Sequence, residues 1–176
     1  PDPQPVSRNQ PQATGLWAWV GLPAGAALLA TVVLATPIRM LGLYLPEPVF
    51  PMVLAFAWPI IRPSVVTPFV TLAMGLFLDV FWGTPIGQWA TILLIPYAVS
   101  LFTRRLTLGQ SGAVLAVWYA GVTALAFAAA QAFTYFDVGA APDTAAVGLQ
   151  AFVTVLLYPF VHRLIDRFED AGARIR

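Results

Sequence analysis

The stretch GLFLDVFWGTPIGQ, Gly75 to Gln88, decides how the chain is read. An apolar run carries one acid, Asp79, stops at Gly83 and resumes after Pro85. Asp79 is the only charged residue between Arg62 and Arg104, an interval long enough to cross a bilayer twice. An acid in a membrane helix is costly, faces the bundle interior or a wet cavity, and by default marks a functional site. Gly83 suits a left-handed helix ending, and Pro85 soon after it cannot continue that helix. Thr84 and Pro85 in turn suit the N-cap and first position of the next helix.

Composition sets the class around this stretch. Of 176 residues, 59% are hydrophobic and 10% are charged, against about 25% charged in ordinary soluble domains. With a mean hydropathy of +0.79, the expected class is all-α, a polytopic bundle of six transmembrane helices at about 20 residues per span. There is no cysteine, and the single His162 cannot build a metal site alone. No HExxH, phosphate loop, paired-carboxylate site or catalytic triad is legible, so no catalytic residue, metal or cofactor is assigned. The net charge of +1 offers nothing to nucleic acid; membrane lipid is the expected surrounding.

Residues 1–15 read as a disordered polar tail rather than a signal peptide, because no basic segment precedes a short apolar core. The transmembrane domain is expected over residues 16–162 and a charged cytoplasmic tail over 163–176. Leu16 to Thr36 forms the first span, anchored by Trp17 and Trp19, with Pro23 as its candidate kink. Pro37 to Pro48 is a connector holding Arg39 and Glu47. Val49 to Ile61 is short for a span and rich in proline. It either crosses with help from Leu43 to Leu45 or dips in and is covered by its neighbours. Ser64 to Trp82, Ile86 to Phe102, Leu108 to Thr134 and Thr144 to Val161 are the remaining spans. Tyr135 to Asp143 is a polar loop.

The arginines orient the bundle. With six spans and both termini cytoplasmic, eight of the nine arginines lie inside and only Arg39 outside; with Val49 to Ile61 not crossing and the N-terminus outside, Arg39 and Arg8 exchange sides and the score is the same, while the last four spans keep their direction. Asp79, Gly83, Thr84, Gln88, Gln131, Thr134 and Gln150 then gather near the outer ends, where Gln88, Gln131 and Gln150 outline a candidate pocket. Asp79 sits near its own helix C-terminus, where the dipole disfavours an anion, and Arg39 is the expected partner within the chain. The plain alternatives stand beside these readings. Asp79 can be purely structural, and the glutamines and threonines can be interhelical ties.

Trp58-Pro59 through Arg62-Pro63, then Gly75-Leu76-Phe77-Leu78-Asp79-Val80, then Gly83-Thr84-Pro85-Ile86-Gly87, resemble MreD, the bacterial rod-shape-determining membrane family. The resemblance implies a six-helix architecture similar to the substrate-binding subunits of energy-coupling transporters. It also implies a non-catalytic scaffold of the cell-elongation (rod) complex in the bacterial inner membrane. The implied partners are MreC, the MreB filament, and the peptidoglycan polymerase and transpeptidase of lateral wall synthesis. Gly75, Asp79, Gly83, Pro85 and Gly87 are the key positions for partner binding or structure. Ala26 and Ala30 form an AxxxA face on the first helix for a partner helix. A similar face serves transporter subunits, so a ligand-binding transporter subunit is the competing function.

Overall fold

The computed structural model describes residues 17–35, 39–40, 43–44, 46–139 and 143–173. The expected tail at 1–15 falls outside them. A π-helical turn, Trp17–Gly21, runs into α1, Leu22–Leu34. A two-residue antiparallel pair follows, β1 Arg39–Met40 with β2 Leu43–Tyr44. Then come α2 Phe50–Ile61, α3 Val66–Trp82, α4 Gln88–Thr107, α5 Gly112–Val138, α6 Thr144–Val155 and α7 Tyr158–Ala173. The last two continue one another across a two-residue break, so the fold is an all-α bundle of six helical passes.

A short helix holds the centre. Every residue of α2 from Pro51 to Ile60 is buried, with α1, α3, α4 and α7 packed around it. A helix enclosed by others must satisfy its end groups from within the protein. Val49 N–H, at the start, donates to Thr154 Oγ1 of α6 (3.2 Å), and Ile60 O, at the finish, accepts from Arg104 Nε of α4 (3.1 Å). Phe56 and Tyr119 meet edge to face at 5.2 Å on its α5 side. The segment is covered by its neighbours. Leu43 and Tyr44 pair as β2 and so do not lengthen it.

Several expected boundaries move. Pro23 falls in the first turn of α1, directly after the π-helical turn. Helix α4 starts at Gln88 with Gly87 as N-cap, so Thr84 and Pro85 belong to the connecting turn. It then runs to Thr107, taking Arg104 and Arg105 into its last turn, where cations suit the dipole. Helix α5 runs four residues past Thr134 and stops at Gly139, whose φ of +70° gives the left-handed ending. Tyr135 to Val138 are therefore helical, not loop. The charged C-terminal segment continues the last span within α7, where Val161 and Ile165 are buried and His162 Nδ1 lies 3.2 Å from Asp166.

Two helices, Gly112–Asp137 and Thr144–Arg167, are long and apolar enough to cross a membrane. The apolar helices Trp19–Leu34, Phe50–Ile61 and Val66–Trp82 are shorter. Large apolar side chains also cover the outside of the bundle: Val80 is 76% exposed, Phe102 85%, Val117 73% and Phe136 84%.

Candidate functional site

Gly75 and Asp79 stand one turn apart on the face of α3 that meets α4, and each has a separate task. At Gly75 the backbones of the two helices touch. A Cβ there would lie 2.8 Å from the Trp89 carbonyl carbon and closer still to the Ala90 backbone, so only glycine fits. That approach carries the first turn of α4 over the Asp79 side chain.

The chain between the helices folds back onto Asp79. Gly83, at φ +66°, ends α3 with its N–H on Asp79 O, and Thr84 N–H reaches the same oxygen at 3.0 Å, the six-to-one bond of a Schellman ending. Gly87, at φ +97°, turns the chain into α4. Both angles favour glycine on steric grounds. Pro85 and Ile86 are exposed at the tip of the turn, and Pro85 O accepts from Gln88 N–H at 3.1 Å.

The Asp79 carboxylate is fully buried and meets three donors. Oδ1 accepts from Trp89 N–H (2.7 Å) and Thr84 Oγ1 (3.0 Å), and Oδ2 accepts from Gly87 N–H (2.8 Å). Gly87 and Trp89 supply two of the four amides that a helix N-terminus leaves without intrahelical partners. Asp79 therefore caps a helix other than its own. The anion that is disfavoured at the end of α3 lies at the start of α4, where the dipole favours it by up to about 2 kcal/mol in partly buried geometries. Charge-assisted bonds of this kind contribute about 1.5 to 3 kcal/mol each.

This arrangement meets the need for which Arg39 is expected. The Arg39 backbone pairs with Tyr44 in the hairpin; its side chain lies outside the described residues. The glutamines divide. Gln88 Nε2 donates to Thr134 Oγ1 (3.2 Å), tying α4 to α5, and Gln150 Nε2 donates to Glu47 O (3.2 Å), tying α6 to the segment before α2. Gln131 is half-buried on α5. The structure thus uses two of the three candidate pocket residues as ties between elements.

Sequence reasoning passes over Glu47, Trp82 and Trp89. Trp82 Nε1 donates to Glu47 Oε2 at 3.0 Å, and its ring lies 4.7 Å from that of Trp89, which meets Phe127 edge-on at 6.1 Å. Glu47 is thus the second acid fastened at this end. The legible signal is its isolation as the one acid in a proline-rich connector. On α1, Ala26 is exposed and Ala30 half-exposed, while Ala24 and Ala27 face the core. The Ala26–Ala30 face therefore points away from the bundle.

Among the described residues there is no group of three or more histidine, aspartate or glutamate side chains placed to hold a metal ion. No protein-family model matches the chain, and no curated protein and no solved structure matches it.

Proposed function

We propose that the chain is a non-catalytic, multi-pass scaffold in the bacterial inner membrane, a member of the MreD family that serves the cell-elongation complex. The observation that carries this reading is the convergence of two of the three resembling segments, Gly75 to Val80 and Gly83 to Gly87, on one folded unit. Gly75 permits the close approach of α3 and α4, Asp79 caps α4, and Gly83 and Gly87 make the turn. These residues need each other, which is the pattern expected of a structural family signature.

The membrane part of the proposal draws on the two long apolar helices and on the outward-facing aromatic and aliphatic side chains. A soluble surface seldom presents contiguous apolar patches beyond a few hundred Å². The shorter helices cross with the help of tilt, local thinning and flanking residues. Both termini lie on the cytoplasmic side, following the arginines.

With little mass outside the bundle, the protein acts through helix faces and short loops. The outward Ala26–Ala30 face of α1 receives the single membrane helix of MreC, since small residues let two backbones come close. The capped α3–α4 turn shapes the outer surface that meets the same partner. MreB, the polymerase and the transpeptidase join through MreC and the cytoplasmic end. The transporter-subunit alternative is weakened because Gln88 and Gln150 are engaged within the bundle.

Affinity purification from gently solubilised native membranes, with mass spectrometry of what accompanies the protein, tests the proposal. MreC and wall-synthesis proteins are the expected companions, and Ala26→Phe is expected to reduce MreC recovery at least severalfold without reducing membrane insertion. Transporter ATPases in place of MreC would overturn it.

A further inference from the structure

The end of the bundle opposite Asp79 contains a cavity of about 190 Å³ between the ends of α2 and α4, the start of α5, and α7, several times what one water molecule needs. Its floor is apolar, made by Ile60, Leu115 and Ile165, all buried. Its polar wall is rich in acceptors. Apart from His162, Asp166 is the only ionisable side chain in it. The His162 ring stacks on that of Tyr158 at 6.0 Å and sets Nδ1 3.2 Å from Asp166 Oδ1. Among the described residues Asp166 Oδ2 has no hydrogen-bond partner, and neither has the Gln110 side chain of the wall. Thr107 directs its hydroxyl proton to the Arg104 carbonyl at 3.1 Å, which leaves its oxygen an acceptor. Helix α4 ends at the same wall, with its last carbonyls short of intrahelical donors and the negative end of its dipole beside them. Arg62, Arg105, Arg163 and Arg167 are exposed at this end, and none of them lines the cavity. An anion would meet Asp166 there, and an apolar ligand would leave the Asp166 and Gln110 oxygens without a donor. A primary ammonium group, with one positive charge and three N–H donors, meets both conditions.

We propose that this cavity binds the ammonium group of an aminophospholipid, of the phosphatidylethanolamine type. The proposal rests on the membrane reading above. The nitrogen is held by Asp166, with Gln110 and the hydroxyl of Thr107 as further acceptors. The two carbons between nitrogen and phosphate lie on the apolar floor, and the phosphate stays outside. A zwitterion suits an end whose cavity wall is acidic and whose exposed arginines lie outside that wall, whereas a free polycation would also meet those arginines. Leu108 of the wall is 45% exposed, and Leu106 and Val114, close to it in the chain, are exposed too, an apolar surface for the acyl chains. Phosphatidylcholine carries the same charge on a nitrogen without N–H and leaves the acceptors unmet.

The test is native mass spectrometry of the full chain, purified in mild detergent and titrated with phosphatidylethanolamine, phosphatidylcholine or phosphatidylglycerol of the same acyl chains. The expected result is one retained phosphatidylethanolamine, held at least about tenfold more strongly than either of the other lipids. Asp166→Asn removes the charge at an exposed position and should weaken retention roughly tenfold, the effect of one charge-assisted hydrogen bond, with the unfolding temperature unchanged. Gln110→Leu keeps the charge, removes one acceptor and should weaken retention about threefold. Retention of either other lipid equal to that of phosphatidylethanolamine, or indifference to both substitutions, would overturn the site. Displacement of the lipid by millimolar ethanolamine would overturn the lipid assignment in favour of a free amine. Release of the chain from membranes by alkaline carbonate would overturn the membrane reading itself, which separates that failure from failure of the site alone.

Discussion

The two ends of the bundle handle charge in opposite ways. At the α3–α4 end one buried acid has three donors and no surface, and each neighbour that contacts it is fixed by it in return. At the opposite end the charges include arginines left on the surface: Arg62, Arg105, Arg163 and Arg167 are exposed. A charge with every bond satisfied inside the protein builds architecture, whereas charges left facing outward are available to something else. The difference teaches that the most unusual residue in a sequence need not be the one that meets a ligand. Asp79 is conspicuous because helix α4 needs an acceptor.

Substitutions can break or sharpen this contrast. The largest effect is expected at Asp79. Replacement by alanine leaves the buried amides of Gly87 and Trp89 without an acceptor and should lower stability by about 3 to 5 kcal/mol, read as thermal unfolding in detergent. Next comes Gly75→Ala, whose Cβ meets backbone rather than a movable side chain. A loss of about 2 to 3 kcal/mol is expected in the same assay, with a measurable change in the crossing of α3 and α4. Gly87→Ala forces a left-handed angle on a residue with a Cβ and should cost about 1 to 2 kcal/mol. At the other end of the scale, Arg39→Gln should change stability by no more than about 0.5 kcal/mol. Its effect should add to that of Asp79→Asn, because the carboxylate already has its donors. Strong non-additivity in that double substitution would reinstate Arg39 as the partner.

Much of this was legible, and the misses share a cause. The break at Gly83 follows from turn chemistry, and the enclosed position of an acid follows from its cost in an apolar helix. Its partner does not follow, because charge patterns show arginines and not the unpaired amides of a helix N-terminus eight to ten residues away. The start of α4 was placed too early because Thr84 and Pro85 carry the usual opening signal. The side chain from the previous helix does the capping instead and moves the N-cap to Gly87. The segment at Val49 to Ile61 looked too short and too rich in proline. Both traits suit a helix enclosed by others, whose two ends are bonded by Thr154 and Arg104. The short hairpin at residues 39–44 left no alternation long enough to read. The role of Glu47 depends on Trp82, thirty-five residues away, and long-range pairs of that kind appear only when the helices are assembled.

The capping of α4 by Asp79 is tested most directly by amide hydrogen exchange at Gly87 and Trp89, compared between the native chain and Asp79→Ala, which removes both acceptor oxygens, in the same detergent. If the carboxylate holds those two amides, their exchange should speed up at least tenfold in the variant, while the amides in the middle of α5 change much less. Unchanged protection at Gly87 and Trp89 would contradict the account and return Asp79 to the list of groups free to meet a ligand or a partner.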